Sequence, residues 1–244
     1  STFFGGSKDD GLNKGYNATR DFYSDEFRGE VNIDTNNQIY IASCTYSTDA
    51  PNPSSISREA TSGLDGLVLS MNPDLSELRW VNYISGESSD VLFSIDFSRD
   101  YSSIYATGAT NSIGLPRANG GHASSLQGLT DGIITKFSFE NAILEQLTYV
   151  GTASRDMIMG LHVDRNNRVN VVGQTYGNFP IDGSLYSDGN SGQFIARYNS
   201  ALTERDLSTT FGSGAGRPDI TINAFLVDEC GKFFVSGWGG NIDD

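Results

Sequence analysis

The sequence predicts an all-β fold: a β-propeller, or an incomplete propeller, of four-stranded blades with a repeat of about 65 residues. Three observations predict it. One strand-like segment occurs four times at nearly constant spacing. An alternating apolar strand precedes every copy, and two further strand patterns follow each full copy.

The four copies are Ile39-Tyr40-Ile41-Ala42-Ser43, Ile104-Tyr105-Ala106-Thr107-Gly108, Val169-Asn170-Val171-Val172-Gly173 and Phe233-Phe234-Val235-Ser236-Gly237. Their last residues are separated by 65, 65 and 64 positions. Two residues on come Thr45, Thr110 and Thr175, then Gly239; about eight residues on come Pro51, Pro116 and Pro180. The preceding strand shows the two-residue period of a half-buried strand. Its apolar face reads Val31 and Ile33; Phe93, Ile95 and Phe97; Met159, Leu161 and Val163; then Phe225 and Val227. Asp34, Asp164 and Asp228 each stand nine positions before the reference residue. Turn formers follow, as in Asp34-Thr35-Asn36-Asn37 and Asp164-Arg165-Asn166-Asn167, and such turns tolerate left-handed backbone and close a hairpin.

A third strand recurs as Asp65-Gly66-Leu67-Val68-Leu69, Asp131-Gly132-Ile133-Ile134-Thr135 and Gly192-Gln193-Phe194-Ile195-Ala196. A fourth ends in an aromatic residue with glycine close behind: Tyr83 to Gly86, Tyr149 to Gly151, and Phe211-Gly212. Phe4-Gly5 reads as the same strand end of a preceding unit. Residues 1–244 thus form a single propeller region: a partial unit 1–28, repeats of approximately 29–90, 91–156 and 157–219, and a partial repeat 220–244. A lone blade cannot bury both faces of its sheet, so neighbours must stack. With no initiator Met and a unit cut at either end, the chain reads as a processed product or a piece of a longer protein. Alternatively, the two ends combine into a fourth blade.

The formal net charge is -14 and the sequence pI about 4.4, with the 16 basic residues scattered. Such a surface repels phosphates and anionic lipid, so nucleic acid is not expected as a partner. No run of 18 apolar residues exists, so direct membrane insertion is not expected either. Cys44 and Cys230 leave pairing open, with nothing in their spacing to favour a disulfide.

Several runs resemble the bacterial β-propeller repeat family called SBBP. They are Ile104-Tyr105-Ala106-Thr107-Gly108-Ala109-Thr110-Asn111-Ser112, Phe179-Pro180, Asp131-Gly132-Ile133-Ile134 and Phe3-Phe4-Gly5-Gly6. The sequence departs from that pattern at Ser43, and at Gly192-Gln193 in place of Asp-Gly. The segment 218–240 resembles part of large surface proteins of Bacteroidota that carry gliding-motility-associated C-terminal domains and leave the cell by the type IX system. The resemblance implies a secreted or cell-surface protein, extracellular or on the outer surface.

No catalytic, cofactor-binding or metal-ligating residue is singled out, and no cofactor is implied. Nucleophile elbow, zinc-helix and phosphate-loop motifs are all missing. His162, between Leu161 and Val163, reads as an ordinary sheet position on the face opposite the apolar stripe, and His122 as a solvent-facing loop residue. The Asp-x-Asn-Asn runs lack the later Gly and Glu of a calcium loop and read as hairpin turns. Gly212-Ser213-Gly214-Ala215-Gly216 reads as a loop, Trp80 as core and Trp238 as packing against a next blade. Asn17-Ala18-Thr19 matches a glycosylation sequon. The expected function is a non-catalytic extracellular module, not an enzyme: a scaffold, or an adhesion or protein-interaction surface presenting loops 49–64 and 111–130. Its partner would be a protein or glycan at the cell surface. The alternatives are an accessory component or cargo of a type IX secretion or gliding-motility complex, and a polysaccharide-acting enzyme with carboxylates in the central channel.

Overall fold

The structure is a computed structural model that describes residues 4–11, 29–53, 60–61, 63–184 and 186–239. These residues contain fourteen strands and no helix. The first sheet holds β1 (Glu30–Ile33), β2 (Ile39–Thr45), β3 (Asp65–Met71) and β4 (Leu78–Ile84). The second holds β5 (Asp90–Phe97), β6 (Ser103–Thr110), β7 (Asp131–Ser138) and β8 (Leu144–Val150). The third holds β9 (Asp156–Val163), β10 (Val169–Thr175), β11 (Gln193–Tyr198) and β12 (Arg205–Phe211). A two-stranded sheet follows, β13 (Thr221–Val227) and β14 (Phe233–Trp238). Every pair is antiparallel and ordered as in the chain.

Successive first strands touch: β1 meets β5, β5 meets β9 and β9 meets β13. These strands therefore line the axis, the fourth strands lie outside, and the chain is a β-propeller of four-stranded blades. The core lies between sheets. Tyr40, Val68 and Ile84 of the first pack with Leu92, Ile104 and Phe137 of the second. Tyr105 and Ile134 of the second pack with Ile158, Val171 and Phe194 of the third. Strands covered on both faces are buried throughout, as β6 and β10 are. At the ends of the row the pattern differs from expectation. Val31 and Ile33 are 62% and 54% exposed, and Trp238 is 56% exposed. Among the described residues no further sheet stacks on these outer faces. Trp80, as expected, packs half-buried on the first core, 6.0 Å from the Tyr40 ring.

The repeated acids of the turns prove to be structural. Asp34 Oδ1 accepts the N–H groups of Asn36 (2.8 Å) and Gln38 (2.9 Å). Asp164 Oδ1 accepts those of Asn166 (2.8 Å) and Arg168 (3.1 Å). Asp228 Oδ1 accepts those of Cys230 and Lys232, both at 2.8 Å. Three residues after each acid the backbone turns left-handed, at Asn37 (φ 60°), Asn167 (φ 58°) and Gly231 (φ 77°). The second blade uses Ser98 instead, whose Oγ accepts Ser103 N–H at 2.9 Å, with Tyr101 at φ 53°.

The glycine that ends the repeated segment also has a cause. β5, β9 and β13 each carry a bulge there. A Cβ at Gly108, Gly173 or Gly237 would overlap the carbonyl oxygen of Val91, Met157 or Thr221. The threonine two residues on clasps an acid that precedes it in the chain. Thr45 and Thr110 hydroxyls donate to Asp10 and Asp90, which also accept the N–H groups of Gly6 (2.7 Å) and Gly86 (2.8 Å). Asp156 accepts Thr152 N–H at 2.6 Å in the same way.

Across the junction of the second and third blades two carboxylates meet. An ideal Cβ on Gly151 would lie 2.6 Å from Asp131 Oδ1 and 3.1 Å from Asp156 Oδ2. Burial pushes the Asp131 and Asp90 carboxyls up to about 7, against the pull of their hydrogen bonds, and raises Asp156. Cys44 and Cys230 are both free, the first buried and the second exposed. Burial lifts the Cys44 thiol to about 12, so it behaves as a small apolar side chain.

Two outcomes follow. A carboxyl whose folded value is raised makes its full contribution to stability below the unfolded value, about 3.9. That contribution is lost as pH rises through about 7. The melting temperature should therefore fall between about pH 4 and pH 7, and Asp131→Asn should flatten the fall. A profile identical in the variant would refute the assignment. Gly108→Ala should lower unfolding free energy by about 2–3 kcal/mol through overpacking at the bulge, measured by urea denaturation.

Candidate axial site

The first strands leave an unpaired edge along the axis, and each exposed N–H on such an edge needs a partner. Side chains from the preceding blade provide it. Glu30 on β1 accepts Ile95 N–H of β5 through Oε2 at 2.9 Å, and the Ser94 hydroxyl donates to the same oxygen. Ser94 Oγ in turn accepts Leu161 N–H of β9 at 3.1 Å. Asp96 accepts Val163 N–H of β9 at 2.8 Å through Oδ2 and Phe97 N–H at 2.8 Å through Oδ1. Asn32 Nδ2 donates to Ile95 O at 3.3 Å and reaches Asp96 Oδ1 at 3.4 Å. One hydrogen-bond ladder thus runs across three blades.

Two cavities open beside it. The larger, about 360 Å³, is lined by Glu30, Ser94, Gly160, Asn223 and Phe225 among others. The smaller, about 190 Å³, is lined by Asn32, Asp96, Arg99, Tyr101 and His162. In the second, His162 Nδ1 stands 3.6 Å from Asp96 Oδ2 with both side chains about one-fifth exposed, an ion-pair separation and longer than a hydrogen bond. His162 Nε2 is buried and has no hydrogen-bond partner among the described residues. Burial raises the Asp96 carboxyl, opposed by the Val163 and Phe97 N–H groups and by the neighbouring His162 and Arg99. A carboxylate beside one ring nitrogen orients an imidazole, leaving the other nitrogen to take and return a proton.

His162 does occupy a regular strand position, paired with Asn170. Its role as a lining residue was not anticipated. The readable signal was the polar row opposite the apolar stripe on consecutive first strands: Glu30 and Asn32, Ser94 and Asp96, then His162. His122 is exposed, yet its ring meets Tyr198 edge-on at 5.7 Å and its N–H donates to Leu202 O at 2.8 Å, so it docks on the third blade. The segment 212–216 is an irregular loop, as expected. Loop 111–130 is irregular too; Asn17-Ala18-Thr19 and residues 54–59 and 62 of the other candidate loop lie outside the described residues. Among the described residues no three His, Cys, Asp or Glu side chains converge as they would around a metal ion.

No family model and no curated protein matches this sequence. Among solved structures, a gluconolactonase from Xanthomonas campestris is similar, at 13% identity and a TM-score of 0.41. The likeness covers 85% of this chain and 52% of that one, so this chain spans about half the length of that structure. The expectation of a non-catalytic module that is not an enzyme is corrected by this finding, because the similar structure is an enzyme. At that TM-score the likeness transfers no residue, substrate or activity, and the chemistry of this chain is argued from its own axial residues.

Proposed function

We propose that the axial site performs acid–base hydrolysis of a small, hydroxyl-rich substrate of saccharide type. The Asp96–His162 pair carries this reading, because it leaves a buried imidazole nitrogen unpartnered beside a cavity. His162 Nε2 takes a proton from the attacking water and returns it to the leaving oxygen. Asp96 orients the ring. Asn32, Arg99 and Tyr101 line the same cavity as Asp96 and His162, about 190 Å³, and offer polar groups to the substrate hydroxyls. Turnover of a panel of chromogenic glycosides and sugar esters tests the reading. His162→Gln should lower kcat by about 10²-fold or more, with the circular-dichroism spectrum unchanged. Full activity in that variant, or no turnover of any panel member, would overturn it.

We also propose that the chain belongs to an SBBP-type repeat protein at the outer cell surface, exported by the type IX route and acting on a surface glycan. The order of its repeated motifs, the resemblance of segment 218–240 and the net charge of -14 support this. Protease treatment of intact source cells should remove the protein while sparing a cytoplasmic marker; protection until lysis would exclude a surface location.

A further inference from the structure

The junction between the third blade and β13 departs from the others at several positions. Residues 65 and 131, aspartates that precede Gly66 and Gly132, correspond to Gly192, and Gln193 takes the place of those glycines. The register shows it: Gly66 pairs with Cys44, Gly132 with Ala109 and Gln193 with Gln174, each one residue before the clasping threonine position. The threonine is itself absent one unit later, where Gly239 stands. A junction elsewhere closed by carboxylates and hydroxyls is here lined by amides.

Those amides are not satisfied. Gln193 is fully buried, and neither Oε1 nor Nε2 has a hydrogen-bond partner among the described residues. Gln174, also fully buried, donates Nε2 to Ile220 O at 2.6 Å but leaves Oε1 unpaired. Ser191 Oγ, in a residue 4% exposed, is likewise unpaired. Asp219 Oδ2 accepts Ser213 N–H at 2.8 Å while Oδ1 has no partner among the described residues. Gln193 Oε1 and Asp219 Oδ1 converge at Gly212. A Cβ there would touch Gln193 Oε1 and lie 3.1 Å from Asp219 Oδ1 and 3.5 Å from Ser191 Cβ. Gln174 and Gln193 are direct cross-strand neighbours on one face. Leaving a buried polar atom unpaired forfeits its hydration with nothing in return, so a cluster of them signals a bound group.

We propose that this junction binds a hard, oxygen-seeking cation, Ca2+ by its donor set, through Asp219, Gln193, Gln174 and Ser191. Three acceptor oxygens without donors suit a cation better than a water, which brings only two hydrogens. One carboxylate, two amide carbonyls and a hydroxyl, completed by water, is a calcium-type set; Mg2+ demands stricter octahedral geometry. Gln193 Nε2, which only donates, is left to a water oxygen. The glycine-rich loop 212–216 closes over the place, held by Asn190 Nδ2 on Gly214 O at 2.9 Å and Gly216 N–H on Asn190 O at 2.6 Å. This site is independent of the axial reading.

The test is thermal unfolding of chelator-treated protein, with CaCl2 titrated against NaCl and MgCl2 at matched ionic strength. Saturable stabilisation by Ca2+ of about 5–10 °C at hundred-fold excess over the dissociation constant is expected. Asp219→Asn and Gln193→Leu should each abolish it. Should either variant fail to fold, equilibrium dialysis of the wild-type chain with radioactive Ca2+ should still give one bound ion per chain. No Ca2+-specific stabilisation, an equal response in Asp219→Asn, no bound ion in dialysis, or a crystal grown in Ca2+ with only water at this position would overturn the proposal.

Discussion

A four-stranded sheet with apolar side chains on both faces cannot stand alone in water, and the rest of this molecule follows from covering those faces. The blades cover one another. Phe137 and Phe194 are fully buried because a neighbouring sheet lies over them, and Val31 is exposed because none does among the described residues. Stacking brings a second problem, since blade edges carry polar backbone that must be paired where water is scarce. The molecule answers it twice, with the threonine–aspartate clasps at the start of β5 and β9, and with the Glu30, Ser94 and Asp96 ladder along the axis.

Much of this was legible in the sequence because its causes are local. The Asp34, Asp164 and Asp228 turns satisfy themselves within five residues, so their pattern survives in one dimension. The glycine at 108, 173 and 237 also repeats, although its reason, a facing carbonyl at a bulge, shows only in three dimensions. The axial site was not legible. Asp96 and His162 are 66 positions apart, and their meeting depends on how two blades are set side by side. In the linear sequence each is a polar residue on an alternating strand, indistinguishable from a solvated one.

The axial ladder ties chemistry to architecture. Asp96 holds Val163 N–H of the next blade with the same oxygen that faces His162. Geometry at the imidazole is therefore fixed by blade packing rather than by a loop, which is how a site is kept rigid. The same sharing means that altering Asp96 disturbs a blade junction as well as a proton path. Changes at His162, whose side chain makes fewer such bonds, separate the two.

The self-contained hairpin turns also bear on how the chain reaches this structure. Each Asx turn joins strands that are adjacent in sequence, and each sheet closes within some 60 residues, so most native pairings are short-range for an all-β protein. Short loop closure costs little entropy, and topology of this kind lowers the kinetic barrier to collapse. The hairpins are the natural nuclei, and the interlocking of blades is the later, cooperative event. Growth can begin at any unit and spread to its neighbours, which suits a chain emerging blade by blade.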